Sequence, residues 1–175
     1  YRLRGPEVDA AILRNLPSAA TNVKVELVTA IGERNIAGSV EALLAAAKDE
    51  DRKVRVEAIK VLKIVGTPET LPAMVNLLLE IKSDSDRAEA EKTIAAVAHK
   101  IEDKTRQAAA VLAVLPNVKD SLNRASLLRV LGRIGDSSAL PILRTSLGNR
   151  EAEIQDAAIR ALSDWPTSEP VPDLL

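Results

Sequence analysis

One histidine and no cysteine bound the chemistry open to this chain of 175 residues. Without thiols there are no disulfides, thiolate metal sites or thiol nucleophiles. His99 is followed by Lys100 and has no second histidine to join it, so no histidine-based metal cluster can form. No loop carries the spaced Asp and the glycine of a calcium site. The acidic group Asp84, Asp86, Glu89 and Glu91 reads as the favoured charge at a helix N-terminus, which needs no metal to explain it. No nucleophile–base pair stands out. The residues therefore imply no catalytic residue, no metal, no cofactor and a chain that is not an enzyme.

The basic residues are more patterned. Two positions before Ile31, Leu62, Val97, Leu131 and Leu162 stand Thr29, Lys60, Ala95, Arg129 and Arg160. If those segments are stacked helices, Lys60, Arg129 and Arg160 fall in one column broken by Ala95, with Lys63 beside Lys60 and Arg133 one turn beyond Arg129. This column is the candidate interaction surface. Glu26, Glu57 and Asp156 lie close and dilute its potential, so an ordinary solvated face with i,i+4 pairs competes with a binding strip. The only aromatics are Tyr1 and Trp165, too few for a platform on which single-stranded bases could stack. Trp165 is expected to pack across the end of the last helix.

The elements that must hold these residues are helices. In Val54–Gly66 the apolar positions 54, 58, 61, 62 and 65 describe one helical face, and a glycine ends the run. That phrase returns down the chain. Leu62 finds its counterparts in Ile31, Val97, Leu131 and Leu162, at spacings of 31 to 35 residues. Segments 61–78 and 130–147 align without a gap, glycine on glycine (Gly66, Gly135) and proline on proline (Pro72, Pro141). Each period divides into two helices. The A helices are expected near 7–16, 38–48, 69–82, 103–115 and 138–147, and the B helices near 20–34, 51–65, 85–101, 118–134 and 150–164. Thr67-Pro68 is a helix start, and Asp86 with Glu89 is a possible capping box for the third B helix. No stretch alternates with period two for long enough to make a strand. The fold class is all-α, an α-α superhelix of about five helical hairpins. Approximate repeats are 1–35, 36–66, 67–101, 102–135 and 136–166, with 167–175 the start of a further helix or a truncated tail.

Composition agrees. The chain is 46% hydrophobic but 1% aromatic, so its core is built from Leu, Ile, Val and Ala. Net charge is −1, which gives no global pull towards nucleic acid or anionic membrane. No apolar run approaches the roughly 20 residues of a membrane span.

Paired helices at this period, with Val54, Arg55, Ala58, Leu62 and Gly66 after Asp49, resemble HEAT repeats. Leu131-Gly132-Arg133-Ile134-Gly135-Asp136, followed by Ala139-Leu140-Pro141, resembles the compact bacterial form of the motif. The resemblance covers essentially the whole chain. It implies a solenoid whose B helices line a concave wall, and a ladder of polar residues along the stack. Asp49 and Arg55 fit that ladder, Asn149 and Gln155 replace them in the fifth repeat, and the pairs Ser18/Lys24 and Val118/Arg124 leave it incomplete. HEAT-like hydroxylases and DNA glycosylases lack a counterpart here, for want of His-Glu pairs and a basic aromatic cleft. The resemblance thus implies a scaffold for protein–protein or interdomain contact, its partner an unidentified protein or a neighbouring domain, with the chain a monomer. The alternative is double-stranded nucleic-acid binding through Lys60, Arg129, Arg133 and Arg160. Tyr1–Gly5 reads as the tail of a preceding B helix and Pro172–Leu175 as the opening of another A helix, the pattern of a segment cut from a longer protein.

Overall fold

A computed structural model describes residues 5–173. Residues 1–4 and 174–175, on which part of the two terminal expectations rests, lie outside the described residues. Ten α-helices follow one another, with no strand among the described residues. The A helices are α1 (Pro6–Asn15), α3 (Val40–Ala46), α5 (Leu71–Glu80), α7 (Ala109–Val114) and α9 (Leu140–Leu147). The B helices are α2 (Thr21–Arg34), α4 (Arg52–Val65), α6 (Asp84–Ala98), α8 (Ser121–Ile134) and α10 (Ala152–Ser163). The all-α solenoid expected from the periodicity is the observed architecture, five helical hairpins in series.

Helix starts follow from short polar side chains. Asp51, Ser83 and Asp120 each accept a hydrogen bond from a backbone N–H in the first turn of α4, α6 and α8. The third B helix thus begins earlier than the Asp86/Glu89 capping box supposed. Ser83 caps it, and Asp86 is drawn inward to other partners. Pro72 and Pro141 occupy the first turns of α5 and α9, where a missing N–H costs little, and each is preceded by a short 3₁₀ turn. At the end of α8, Gly135 takes φ +70°, a left-handed cap that a side chain would strain.

B helix stacks on B helix in order, α2 on α4, α4 on α6, α6 on α8 and α8 on α10, while α3, α5 and α7 form the parallel A layer. The core is the seam between the layers. Its largest fully buried side chains are aliphatic, among them Ile31, Leu62, Leu78, Ile94, Leu128 and Leu131. Helices α8 and α10 approach closely at Gly132, where a Cβ would lie 2.5 Å from the Cα of Ala161. After α10 the chain turns back. Trp165 is buried, Pro166 packs on Gly135, and a 3₁₀ turn at Val171–Asp173 leads Asp173 to Arg144 of α9 at 2.8 Å.

Candidate functional site on the B-helix wall

The polar residues of the B helices form two systems. The first runs along the loops that enter the B helices and ties each repeat to the next. Lys24 of α2 donates to Asp49 Oδ2 at 2.6 Å. Arg55 of α4 donates to Asp86 Oδ2 at 2.8 Å, and to the carbonyls of Asp49 and Glu50. Arg87 of α6 donates to Asn123 Oδ1 at 2.8 Å and to the carbonyl of Ile81. Asp49 and Arg55 thus do not meet through their side chains; each reaches into a neighbouring repeat. Further along, Arg124 donates to the Val118 carbonyl and Gln155 to the Leu147 carbonyl. Asn149 Oδ1 accepts from the amide of Glu151 at 2.9 Å, as Asp49 Oδ1 does from Asp51.

Charge is managed unevenly along this ladder. Burial pushes the carboxyl of Asp49 up. The Lys24 and Asp51 hydrogen bonds, with the charges of Lys24 and Arg55, outweigh burial and hold it below its usual 3.8. Asp86 is buried between Arg55 and Arg52. Arg87 is also buried, yet it faces an amide where the previous repeats place a carboxylate, and its Nε has no partner.

The second system lies one to two turns further along the helices, on the exposed side of the wall. Glu91 of α6 is buried at its centre. Its Oε1 accepts from the hydroxyl of Ser126 at 2.5 Å and from Arg129 Nε at 3.0 Å, and lies 2.9 Å from Arg129 Nη2. These hydrogen bonds aim Arg129, whose other side lines a basin of about 380 Å³ completed by Glu153, Asp156, Ala157 and Arg160. An arginine fixed by a buried carboxylate has lost most of its rotamer freedom before any ligand arrives.

The basic column expected from the sequence is therefore divided. Arg129 and Arg160 share the basin, and Arg133 stands exposed one turn along α8. Lys60 and Lys63 are exposed on α4, separated from the basin by α6, where Ala95 is buried. Glu91 went unnoticed because it was grouped with Asp84, Asp86 and Glu89. The signal was its position four residues before Ala95, the gap in the column. His99 and Lys100 serve the helix ends. His99 Nε2 donates to the Ile134 carbonyl at 2.9 Å, and Lys100 Nζ to those of Ile64 and Gly66 at 2.9 and 2.7 Å. One helix end thereby satisfies the open carbonyls of its neighbours on both sides. Among the described residues no group of three carboxylates and histidines is placed to hold a metal ion, and no helix is long and apolar enough to cross a membrane.

Comparison with known proteins extends this description. The family model of HEAT repeats matches residues 10–95, and that of the PBS lyase HEAT-like repeat matches residues 124–149. No curated protein matches the sequence. Among solved structures, the chain is similar to one from the complex of CpcE and CpcF of phycocyanin lyase from Nostoc sp. PCC7120. The match covers 98% of this chain and 68% of that chain, at 25% identity and a TM-score of 0.55. The expectation that the chain is not an enzyme is overturned here. Both the PBS lyase repeat and the phycocyanin lyase neighbour point to lyase activity. The absence of thiols and of a second histidine excluded thiol nucleophiles and histidine-based metal clusters. It did not exclude proton transfer by carboxylates, or chemistry completed by a second chain.

Proposed function

We propose that this chain, a HEAT-repeat protein, is a lyase component that receives a protein substrate on its B-helix wall between α6 and α10. The observation that carries the reading is the likeness to a chain of phycocyanin lyase along 98% of this chain. The PBS lyase repeat falls on residues 124–149, the span that holds Arg129 and Arg133. The neighbour works as a complex of CpcE and CpcF, and the proposal gives this chain a protein partner in the same way.

A lyase makes or breaks a bond by addition or elimination, so it needs a proton carrier and a fixed site for developing charge. On this wall Arg129 supplies the fixed cation, and Glu91 with Ser126 positions it. The exposed carboxylates of Glu153 and Asp156, in the same basin, are the groups able to carry a proton. Duplex nucleic acid is a poorer ligand for the wall. Ala95 interrupts the column, and the acids Glu153 and Asp156 share the basin with Arg129 and Arg160.

Phycocyanin, named with the neighbour, is the probe for this reading. Titrated with the folded chain, it should bind, and Arg129→Ala should weaken binding at least about tenfold, a loss of about 1.4 kcal/mol. Lys60→Ala, on α4 beyond the basin, should leave binding unchanged. Equal binding by wild type and Arg129→Ala, or none by either, would overturn the proposal.

A further inference from the structure

Ile64 breaks the pattern of its register. Two positions after Ile31, Val97, Leu131 and Leu162 stand Glu33, His99, Arg133 and Asp164, all polar and all exposed. Ile64 takes the same place on α4 and is 55% exposed, more open than Val23, Ile159 or Val171. Helices α2 and α6 are stacked on either side of α4, so this exposure belongs to the open face of the wall.

Cations surround it. At 100° per residue Lys60 and Ile64 share one side of α4, and Lys63, in the register by which Gly132 faces α10, leans towards α6. Lys100, at the end of α6, brings its ammonium to the carbonyl of Ile64 at 2.9 Å. Arg133 is exposed at the same level of α8. None of Lys60, Lys63, Lys100 and Arg133 makes an ion pair among the described residues. On the wall itself Glu57 already accepts a hydrogen bond from Thr29 at 3.2 Å, and Glu91 holds Arg129. Glu33 on α2 and Glu102 beyond α6 mark the borders of the patch. An exposed apolar side chain thus lies among cations that have no carboxylate of their own.

We propose that this patch is a docking site for an acidic segment of a partner protein. The segment sets an apolar side chain on Ile64 and carboxylates on Lys60, Lys63 and Arg133. From α4 to α8 is two helix spacings, about 20 Å, which an extended segment of about six residues spans. Duplex nucleic acid fits less well, because its backbone carries the charge on past Glu33 and Glu102 and offers nothing apolar to Ile64. The patch uses neither Arg129 nor Arg160. It therefore does not rest on the lyase reading, and Lys60 serves this partner rather than phycocyanin.

Fluorescence anisotropy of a dye-labelled peptide, with glutamates on both sides of one leucine, tests it at low ionic strength. The wild-type chain should bind the peptide, and the affinity should fall as salt rises. Lys60→Glu combined with Lys63→Glu should weaken binding at least about tenfold. Lys82→Glu, which alters an exposed lysine on the loop between α5 and α6, should leave it unchanged. Ile64→Ser should weaken binding of the leucine peptide at least about threefold and leave a peptide with serine in place of that leucine unaffected. Each substituted side chain is exposed, so the variants should keep the circular dichroism of the wild type. No binding by the wild type overturns the proposal. So does an equal loss in Lys82→Glu, indifference of the leucine peptide to Ile64→Ser, or tighter binding of duplex DNA than of the peptide.

Discussion

Replacing Gly132 by alanine should pull the last two B helices apart. A methyl at this position would sit 2.5 Å from Ala161 Cα, 2.6 Å from its Cβ and 2.8 Å from its carbonyl oxygen. All three belong to the backbone or first carbon of α10, so no rotamer change clears them. Ordinary carbon–carbon contact begins near 3.5 Å, and α10 must therefore retreat by about an ångström. Overpacking typically costs about 1–3 kcal/mol, and a clash with backbone belongs at the upper end. Alanine returns about 1 kcal/mol of helix propensity relative to glycine. The net loss is about 2 kcal/mol, which in a chain of this size lowers Tm by about 4–8 °C. Gly32 is the control. Its added methyl would meet only the Val61 γ-carbons at 3.1 and 3.2 Å and Ile64 Cδ1 at 3.4 Å, ends of side chains that can turn. Gly32→Ala should therefore stay within about 0.5 kcal/mol of wild type. Trp165, the only tryptophan, is buried just beyond α10. In Gly132→Ala its fluorescence should report unfolding at a lower temperature than far-UV circular dichroism of the whole stack, as neighbour-coupled repeats permit. A Gly132→Ala chain as stable as Gly32→Ala would refute the close α8–α10 packing.

Other outcomes follow from the polar systems. Asp49 holds its carboxyl below its usual 3.8, so the stability it adds is present above that value and lost as pH falls through the lower folded one. Asp49→Asn should thus be less stable than wild type at neutral pH, and the two should converge under urea denaturation as pH drops below about 4. Glu91→Ala leaves the Ser126 hydroxyl and the half-buried Arg129 unpaired, and should cost about 2–3 kcal/mol in chemical denaturation. Glu91→Gln, which keeps an acceptor, should lose less than half of that. Lys100→Ala frees the carbonyls of Ile64 and Gly66 and should cost about 0.5–1 kcal/mol, with faster amide exchange confined to the last turn of α4 and its neighbours.

The fold was legible because stacking writes itself into residue type. Small or aliphatic residues must recur wherever one B helix meets the next, so Ala58, Leu62 and Leu131 could be placed on the buried seam from spacing alone. Some helix starts were as clear, since Thr67, Pro72 and Pro141 have local conformational reasons for their positions. The fourth A helix, however, expected over 103–115, is only Ala109–Val114 after a 3₁₀ turn at Lys104–Arg106. The site was half legible. Arg129 and Arg160 could be put on one face, but whether a cation on that face is free or engaged depends on an acid from another helix. Glu91 lies 38 residues from Arg129, and nothing in local sequence ties them. The same limit hid the Lys24–Asp49 and Arg55–Asp86 pairs, which cross from one repeat to the next. The likeness to lyase chains was missed for another reason: periodicity speaks of stacking, which helical-repeat proteins of different function share.

Turnover of phycocyanin tests the central claim most directly. Visible absorbance of phycocyanin should be followed over time with the wild-type chain, with Arg129→Ala and with buffer. The account predicts a change with wild type that Arg129→Ala slows at least about tenfold at a temperature where both chains are folded by circular dichroism, although Arg129→Ala melts earlier because buried Glu91 loses its cation. A wild-type trace identical to buffer, or one that Arg129→Ala reproduces in full, would contradict it.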